Sequence, residues 1–275
     1  MRQNMIKLLG IPSDFNSSFM QGPALAPDVI RQMDAGGSSN SYAEDGSKVK
    51  AGETYTDVGN INIDTSLDAN TVNNQIINAV KEAINDNSKL ICFGGDHSVS
   101  YPIIQALSEK HKNINILHFD AHPDLYHNFQ SNPYSHASPF ARIMENKLAS
   151  SLTQVGIRTL DQHQRNQVQK FNVKVFEMKD FDSKTIIDYV NALTGPLYVS
   201  IDIDALDPSC APGVSHHEPG GLFSRDLLTI LQNIEIEVIG VDIVELNPKT
   251  DMNNMTAMVA YKLFKESVAL MMRKK

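Results

Sequence analysis

Residues 118 to 124 read His-Phe-Asp-Ala-His-Pro-Asp and set three metal-capable side chains, Asp120, His122 and Asp124, at alternating positions. They follow Ile114-Asn-Ile-Leu117, a short apolar, β-branched run that predicts a buried strand. If the strand geometry persists, positions i, i+2 and i+4 share one side. Two carboxylates and an imidazole then converge at a strand end. Acids are almost never fully buried unless paired or bound to a metal. For this stretch alone, an edge strand with a polar face explains the pattern equally well. The rest of the chain tips the balance. His97 follows the apolar run Leu90-Ile-Cys-Phe93, Asp202 and Asp204 end Leu197-Tyr-Val-Ser-Ile-Asp-Ile-Asp204, and Glu245 sits near the end of a run from Glu237 to Leu246. His97, His122, Asp120, Asp124, Asp202 and Asp204 carry too much negative charge for one divalent ion. They suit two, with some carboxylates shared. The oxygen-rich set favours Mn²⁺ over structural Zn²⁺, and two metals ~3.5–4 Å apart can share and deprotonate a water.

Such a cluster needs strands that end on one edge. The periodicity predicts strands over 6–12, 90–93, 114–117, 152–156, 173–176, 197–204 and 237–246. Helices are predicted from Pro27, over 72–84, up to about Lys110, over 140–148 and 186–193, and after Ser224 as a cap. A C-terminal helix carries Met258 to Met271 and ends in Arg273-Lys-Lys275, cations suited to its dipole. Residues 35–53, rich in Gly, Ser and Asn, read as a surface loop. Strand and helix alternate throughout, with no internal repeat. The expected architecture is a three-layer α/β/α sandwich around a single, mainly parallel sheet, with residues 1–275 as one domain. Ligands in such sheets bind beyond the carboxyl ends of the strands.

Composition narrows the partners. A formal net charge of −8 over 275 residues argues against nucleic acid and an anionic membrane, and suits a cationic ligand. No run approaches 18 apolar residues, and the first ten residues lack the pattern of a signal peptide. Cys92 and Cys210 make no disulfide framework, so a reducing cytoplasm is the simplest compartment. Gly94-Gly95 is not a phosphate loop, since no Lys-Ser/Thr follows; the pair lets the backbone turn tightly.

The motifs Gly94-Gly-Asp-His-Ser98, Phe119-Asp-Ala-His-Pro-Asp124, Ser200-Ile-Asp-Ile-Asp-Ala-Leu-Asp-Pro208 and Val241-Asp-Ile-Val-Glu-Leu-Asn-Pro248 resemble the ureohydrolase family of arginases and agmatinases. The likeness spans essentially the whole chain. Tyr134-Ser-His-Ala-Ser138, Phe140-Ala-Arg-Ile-Met-Glu145, Gly213-Val-Ser-His-His-Glu-Pro-Gly-Gly221 and Met255-Thr-Ala-Met-Val-Ala260 bring it closest to plant-type arginases.

The resemblance implies hydrolysis of a small cationic guanidino substrate with release of urea: L-arginine, or alternatively agmatine or another guanidino or formimidoyl compound. It implies two Mn²⁺ per subunit. One would be held by His97, Asp120, Asp124 and Asp202, the other by His122, Asp120, Asp202 and Asp204, so that Asp120 and Asp202 bridge. Asp124 would accept the nucleophile's proton, His136 would shuttle a proton to the leaving amine, and a homo-oligomer, trimer or hexamer, is implied. Glu245, with no cation beside it in sequence, is expected to hold the guanidinium.

Animal-type arginases carry an Asn two positions past the last Asp of the central motif. That position is Tyr126 here, so that contact does not carry over. His118 is expected on the opposite strand face, as a core residue or one backing a ligand. His111, His127 and His163 read as surface residues, Cys210 as structural, and one of His216 and His217 as a ligand contact. The complete ligand set and Glu245 speak against an amide deacetylase or a non-catalytic binding protein on the same fold.

Overall fold

Parallel strands buried on both faces need near-continuous apolar sequence. The computed structural model, which describes residues 6–64 and 66–273, shows where such runs become strands. They are β1 (Ile6–Gly10), β2 (Tyr55–Asn60), β3 (Lys89–Phe93), β4 (Asn115–Phe119), β5 (Ser151–Ile157), β6 (Lys174–Glu177), β7 (Leu197–Asp202) and β8 (Val238–Val244). All pair in parallel, in one sheet of order β2-β1-β3-β8-β7-β4-β5-β6. The helices are α1 (Ala26–Ala35), α2 (Ala69–Ala83), α3 (Ser100–Lys110), α4 (Pro139–Glu145), α5 (Gln162–Phe171), α6 (Ser183–Asn191), α7 (Ser224–Gln232) and α8 (Met255–Met272).

Strand alternation sorts side chains into two cores. Along β3, Leu90 and Cys92 pack with α2, α3 and α4, while Ile91 and Phe93 pack with α1, α6, α7 and α8. This is the expected α/β/α sandwich. α8 is buried on nearly every side, with Ala257, Ala260, Phe264, Val268 and Met271 all in the core.

Two elements escape the sequence pattern. β2, Tyr-Thr-Asp-Val-Gly-Asn, is an edge strand with Asp57 and Val58 exposed, so it lacks the apolar signature of a central strand. α5 is polar along most of its length; it is started by Asp161, which accepts the Gln164 N–H at 2.8 Å, and docks through Gln164, Gln167 and Val168.

Several predicted boundaries also move. α4 ends at Glu145. Ser224 is the first residue of α7 and does not cap it; instead the Asp226 carboxylate accepts the Phe223 N–H at 2.9 Å. β7 stops at Asp202, whose carboxylate accepts the Asp204 N–H and opens a 3-10 turn over Ile203–Ala205. β8 stops at Val244 because Glu245 is left-handed, at φ 63°. At the chain's end, Arg273 donates to the Gln232 carbonyl at 2.7 Å. Lys274, Lys275 and the first five residues lie outside the described residues.

The strand order matters most for the site. β3, β8, β7 and β4 are consecutive neighbours although they lie far apart in the chain. Their carboxyl ends lead to His97, Glu245, Asp202 and Asp120.

Candidate active site

Turn geometry brings the side chains inward. After β3, the chain passes Gly94 and Gly95 before His97. A Cβ at Gly95 would lie 1.8 Å from the Ser13 carbonyl oxygen, so close backbone approach, not a positive φ, requires glycine there. Asp96 N–H donates to that same oxygen at 2.8 Å, and Glu245 N–H to the Gly95 carbonyl at 2.8 Å. Asp124 and Glu245 are both left-handed, at φ 49° and 63°. Strained backbone at two acids facing one cleft is the kind of feature that clusters at functional sites.

His97 is fully buried, and its Nδ1 lies 3.2 Å from Asp120 Oδ2, 3.1 Å from Asp124 Oδ2 and 3.1 Å from Asp202 Oδ2. These four residues form one group whose ligand atoms could close on a metal ion. A second group is Asp120, His122 and Asp204, with His122 Nδ1 at 3.3 Å from Asp120 Oδ1 and 3.1 Å from Asp204 Oδ2. Asp120 belongs to both. Asp202 joins only the first group, its Oδ1 accepting the Asp204 N–H at 2.7 Å.

Electrostatics reveal the strain of packing these acids together. Burial raises Asp202 well above the ordinary carboxylate range, and the charges of Asp204 and Asp120 push the same way. Burial also raises Asp204, helped by Asp120 and opposed by His122. For Asp120 burial is outweighed by His118, His122 and His97, which hold it well below that range. Burial pulls His97 down, but its three carboxylates overcome it and hold it well above the usual histidine value. The cluster holds more negative charge than its imidazoles can balance, which is the electrostatics of a cation site.

Glu245, buried on the cleft wall, uses one oxygen twice: Oε1 accepts from His136 Nδ1 at 2.8 Å and from the His97 N–H at 2.9 Å. Burial works to raise Glu245, but His136 holds it below the ordinary value. His136 is lowered by burial, yet Glu245 carries it up to about 9. Its Nε2 faces Ser18, whose hydroxyl lies at 2.7 Å and whose backbone N–H donates at 3.2 Å. The backbone donor favours a neutral ring while Glu245 favours the imidazolium. The loop carrying Ser18 is pinned by Asp96, which accepts the Asn16 N–H at 3.0 Å, and by Asn132, which donates to Asn16 Oδ1 at 3.0 Å.

His122, Asp124, His136, Asp202, Asp204 and Glu245 line a cleft of about 240 Å³ together with Ser18, Tyr126, Phe129, Thr159, Gln164 and His216. Of His216 and His217, His216 lines the cleft, whereas His217 is exposed and bonds the Pro212 carbonyl at 2.8 Å. His127 and His163 are exposed and His111 is half-buried. Cys210 is half-buried, its thiol donating to the Asp207 carbonyl at 3.3 Å.

The expected face of His118 is corrected, while its place behind a candidate ligand holds. Positions 116, 118 and 120 share parity, and His118 points to the same side as Asp120, with Nε2 at 2.8 Å from Asp120 Oδ2 and its ring stacked on Phe140. The Gln154 amide donates to the Pro123 carbonyl at 2.6 Å, which fixes its orientation, and its nitrogen also meets His118 Nδ1 at 3.0 Å. His118 Nε2–H is thereby aimed at Asp120.

Two further residues were passed over in the sequence. Arg158 gathers the backbone carbonyls of Gly156, Asp204, Ala205, Leu206 and Glu218, bracing the turn beneath Asp204. No local pattern announces such a brace. Asp242, fully buried in the apolar β8, could have been found by the same reasoning that singles out Asp202, an acid within an apolar strand.

Residues 4–269 match the family described as the Arginase family. The chain is 45% identical over 272 residues to "Arginase 1, mitochondrial" of Arabidopsis thaliana, covering 95% of this chain and 80% of that protein. It is 43% identical over 274 residues to "Arginase 2, chloroplastic/mitochondrial" of the same plant, covering 96% and 80%. The solved structure "Arginase from Medicago truncatula" superimposes with a TM-score of 0.92 at 45% identity, covering 98% of this chain and 88% of that one. The inference of a cytoplasmic location is overturned: the plant relatives are named for mitochondria or chloroplasts, pointing to an organelle rather than the cytoplasm. Two free cysteines in separate surroundings, one buried and one half-buried, do not report which compartment holds the protein.

Proposed function

The chain belongs to the arginase family, and from that premise we propose that it hydrolyses L-arginine to L-ornithine and urea with two Mn²⁺ ions per subunit. The observation that carries this reading is a carboxylate, Glu245, held at the wall of the same cleft as two groups of metal-capable atoms that share Asp120. The first group offers one imidazole nitrogen and three carboxylate oxygens, the second one nitrogen and two oxygens. That oxygen-rich set fits Mn²⁺. When bound, such ions supply the Lewis acidity that makes water a nucleophile at neutral pH.

The chain's own groups account for the rest. With Oε1 occupied by His136 and the His97 N–H, Glu245 can offer its second oxygen and its charge to the guanidinium. That contact fixes the carbon in the cleft, which is where positioning lowers the barrier. Asp124 accepts the nucleophile's proton. His136 passes a proton to the leaving amine, and the opposed pulls of Ser18 and Glu245 keep that proton exchangeable. Ser18, Tyr126, Thr159 and Gln164, which line the same cleft, are neutral hydrogen-bonding groups suited to the α-carboxylate end of arginine, which agmatine lacks.

We read residues 1–275 as one ureohydrolase domain that assembles as a homo-oligomer, a trimer or hexamer, which light scattering would size. Among the described residues no helix is long and apolar enough to cross a membrane. Urea release should be measured on arginine, agmatine, guanidinobutyrate and formiminoglutamate, alongside Mn²⁺ content after desalting. Fastest turnover of arginine with about two ions per chain is expected. Preference for agmatine overturns the substrate, and full activity with one ion or fewer overturns the binuclear reading.

A further inference from the structure

We propose that Asp242 is a positioning residue that acts through the Ser200 hydroxyl to select which nitrogen of His97 faces the carboxylate cluster. The proposal rests on the metal reading above. Asp242 touches neither the cleft nor either group of candidate ligands, yet it is fully buried in the middle of β8, between Val241 and Ile243. A carboxylate there is costly unless its oxygens are satisfied. Three hydroxyls satisfy them. Ser200 donates to Oδ1 at 2.6 Å, and Ser100 and Tyr198 donate to Oδ2 at 2.7 and 2.6 Å.

The consequence follows from proton counting. A carboxylate only accepts, and a serine hydroxyl has one proton. Ser200 spends its proton on Asp242, so it can only accept from His97 Nε2, which lies 2.9 Å away. Nε2 therefore carries the hydrogen. In the neutral ring, the form that can ligate a metal, Nδ1 is then the nitrogen that presents a lone pair, and it is the nitrogen set among Asp120, Asp124 and Asp202. Strand register builds the relay: Ser200 and Asp242 are direct partners across β7 and β8, so their side chains leave the sheet on the same side. Hydrogen bonds to the distal nitrogen of a ligating histidine commonly change metal affinity by about 10–100-fold.

The test is a double-mutant cycle read by Mn²⁺ titration of metal-free protein, followed by electron paramagnetic resonance, with circular dichroism to confirm folding. Ser200→Ala removes the acceptor. Asp242→Asn offers Ser200 an amide donor, which turns the serine proton toward Nε2 and the wrong tautomer toward the cluster. Each should weaken one of the two ions by about 10–100-fold and leave the other within about twofold, since the second group lies off the relay. In the Ser200→Ala background, Asp242→Asn should cost less than about threefold more, because its route to His97 is already cut. Ser100→Ala, which removes a donor to Asp242 that does not lead to His97, should leave both affinities within about twofold. If Asp242→Asn fails to fold, Ser200→Ala against Ser100→Ala still decides. Two ions bound normally by Ser200→Ala, equal losses in Ser100→Ala, or additive losses in the double mutant would overturn the relay alone. A wild-type protein that binds no Mn²⁺ would instead overturn the metal reading on which it rests.

Discussion

Glu245→Gln keeps the shape of the side chain and removes its charge. The structure dictates how the amide must sit. Oε1 accepts from His136 Nδ1 at 2.8 Å and from the His97 N–H at 2.9 Å, so the glutamine carbonyl has to stay there. Its NH₂ group then takes the position of the second oxygen. A donor replaces an acceptor where a guanidinium would bring its own N–H groups. A charge-assisted hydrogen bond is worth about 1.5–3 kcal/mol. Leaving the opposing charge buried and unpaired raises the loss to about 3–5 kcal/mol. At about 1.4 kcal/mol per decade, kcat/KM should fall by roughly two to four decades. The fold should survive, because the Glu245 backbone N–H keeps its 2.8 Å bond to the Gly95 carbonyl. Metal content should also survive, since Glu245 is in neither candidate ligand group. The assay is urea release from arginine, with Mn²⁺ stoichiometry measured on the same samples. A loss under about tenfold, or one that follows missing metal, would refute a guanidinium contact at Glu245.

Other consequences can be checked in parallel. Asp124→Asn should fold normally, because asparagine tolerates the left-handed backbone at φ 49°, yet lose most turnover; near-normal kcat in a fully metallated sample would contradict its role. His136→Ala should lower kcat more than it raises KM, with partial rescue by added imidazole. The same variant carries a pH signature. Against burial, Glu245 raises His136 to about 9, so this group's stabilisation is fully present below its unfolded value of about 6.5 and lost as pH rises through the folded one. The gap in thermal stability between wild type and His136→Ala, both metal-free, should therefore narrow from pH 6.5 to 9, and a gap that widens would refute it. Arg158→Ala frees five backbone carbonyls around the Asp204 turn and should lower Tm by roughly 5–10 °C in a thermal melt.

Much of the candidate site was legible in the sequence because its signals are local. Acids at Asp120, Asp202 and Asp204 interrupt apolar runs, and a short-range rule covers them: a strand that must be buried cannot carry a bare charge. The α/β/α sandwich was equally legible, since alternating strand and helix patterns leave few ways to build a parallel sheet. Even the error at His118 was avoidable, because parity with Asp120 is a property of the sequence. β2 and α5 were not visible because an edge strand and a polar surface helix bury too little to show a periodic signal. Strand order was decided only in three dimensions. That β8 and β7 lie between β3 and β4 depends on crossovers of many residues, and it is what sets Glu245 beside His97 and Asp202 beside Asp120. The Asp242–Ser200–His97 chain depends on register between β7 and β8, and Arg158 on carbonyls drawn from separate loops. Hydrogen bonds between residues distant in sequence are paid out by packing, so only the tertiary structure could place them.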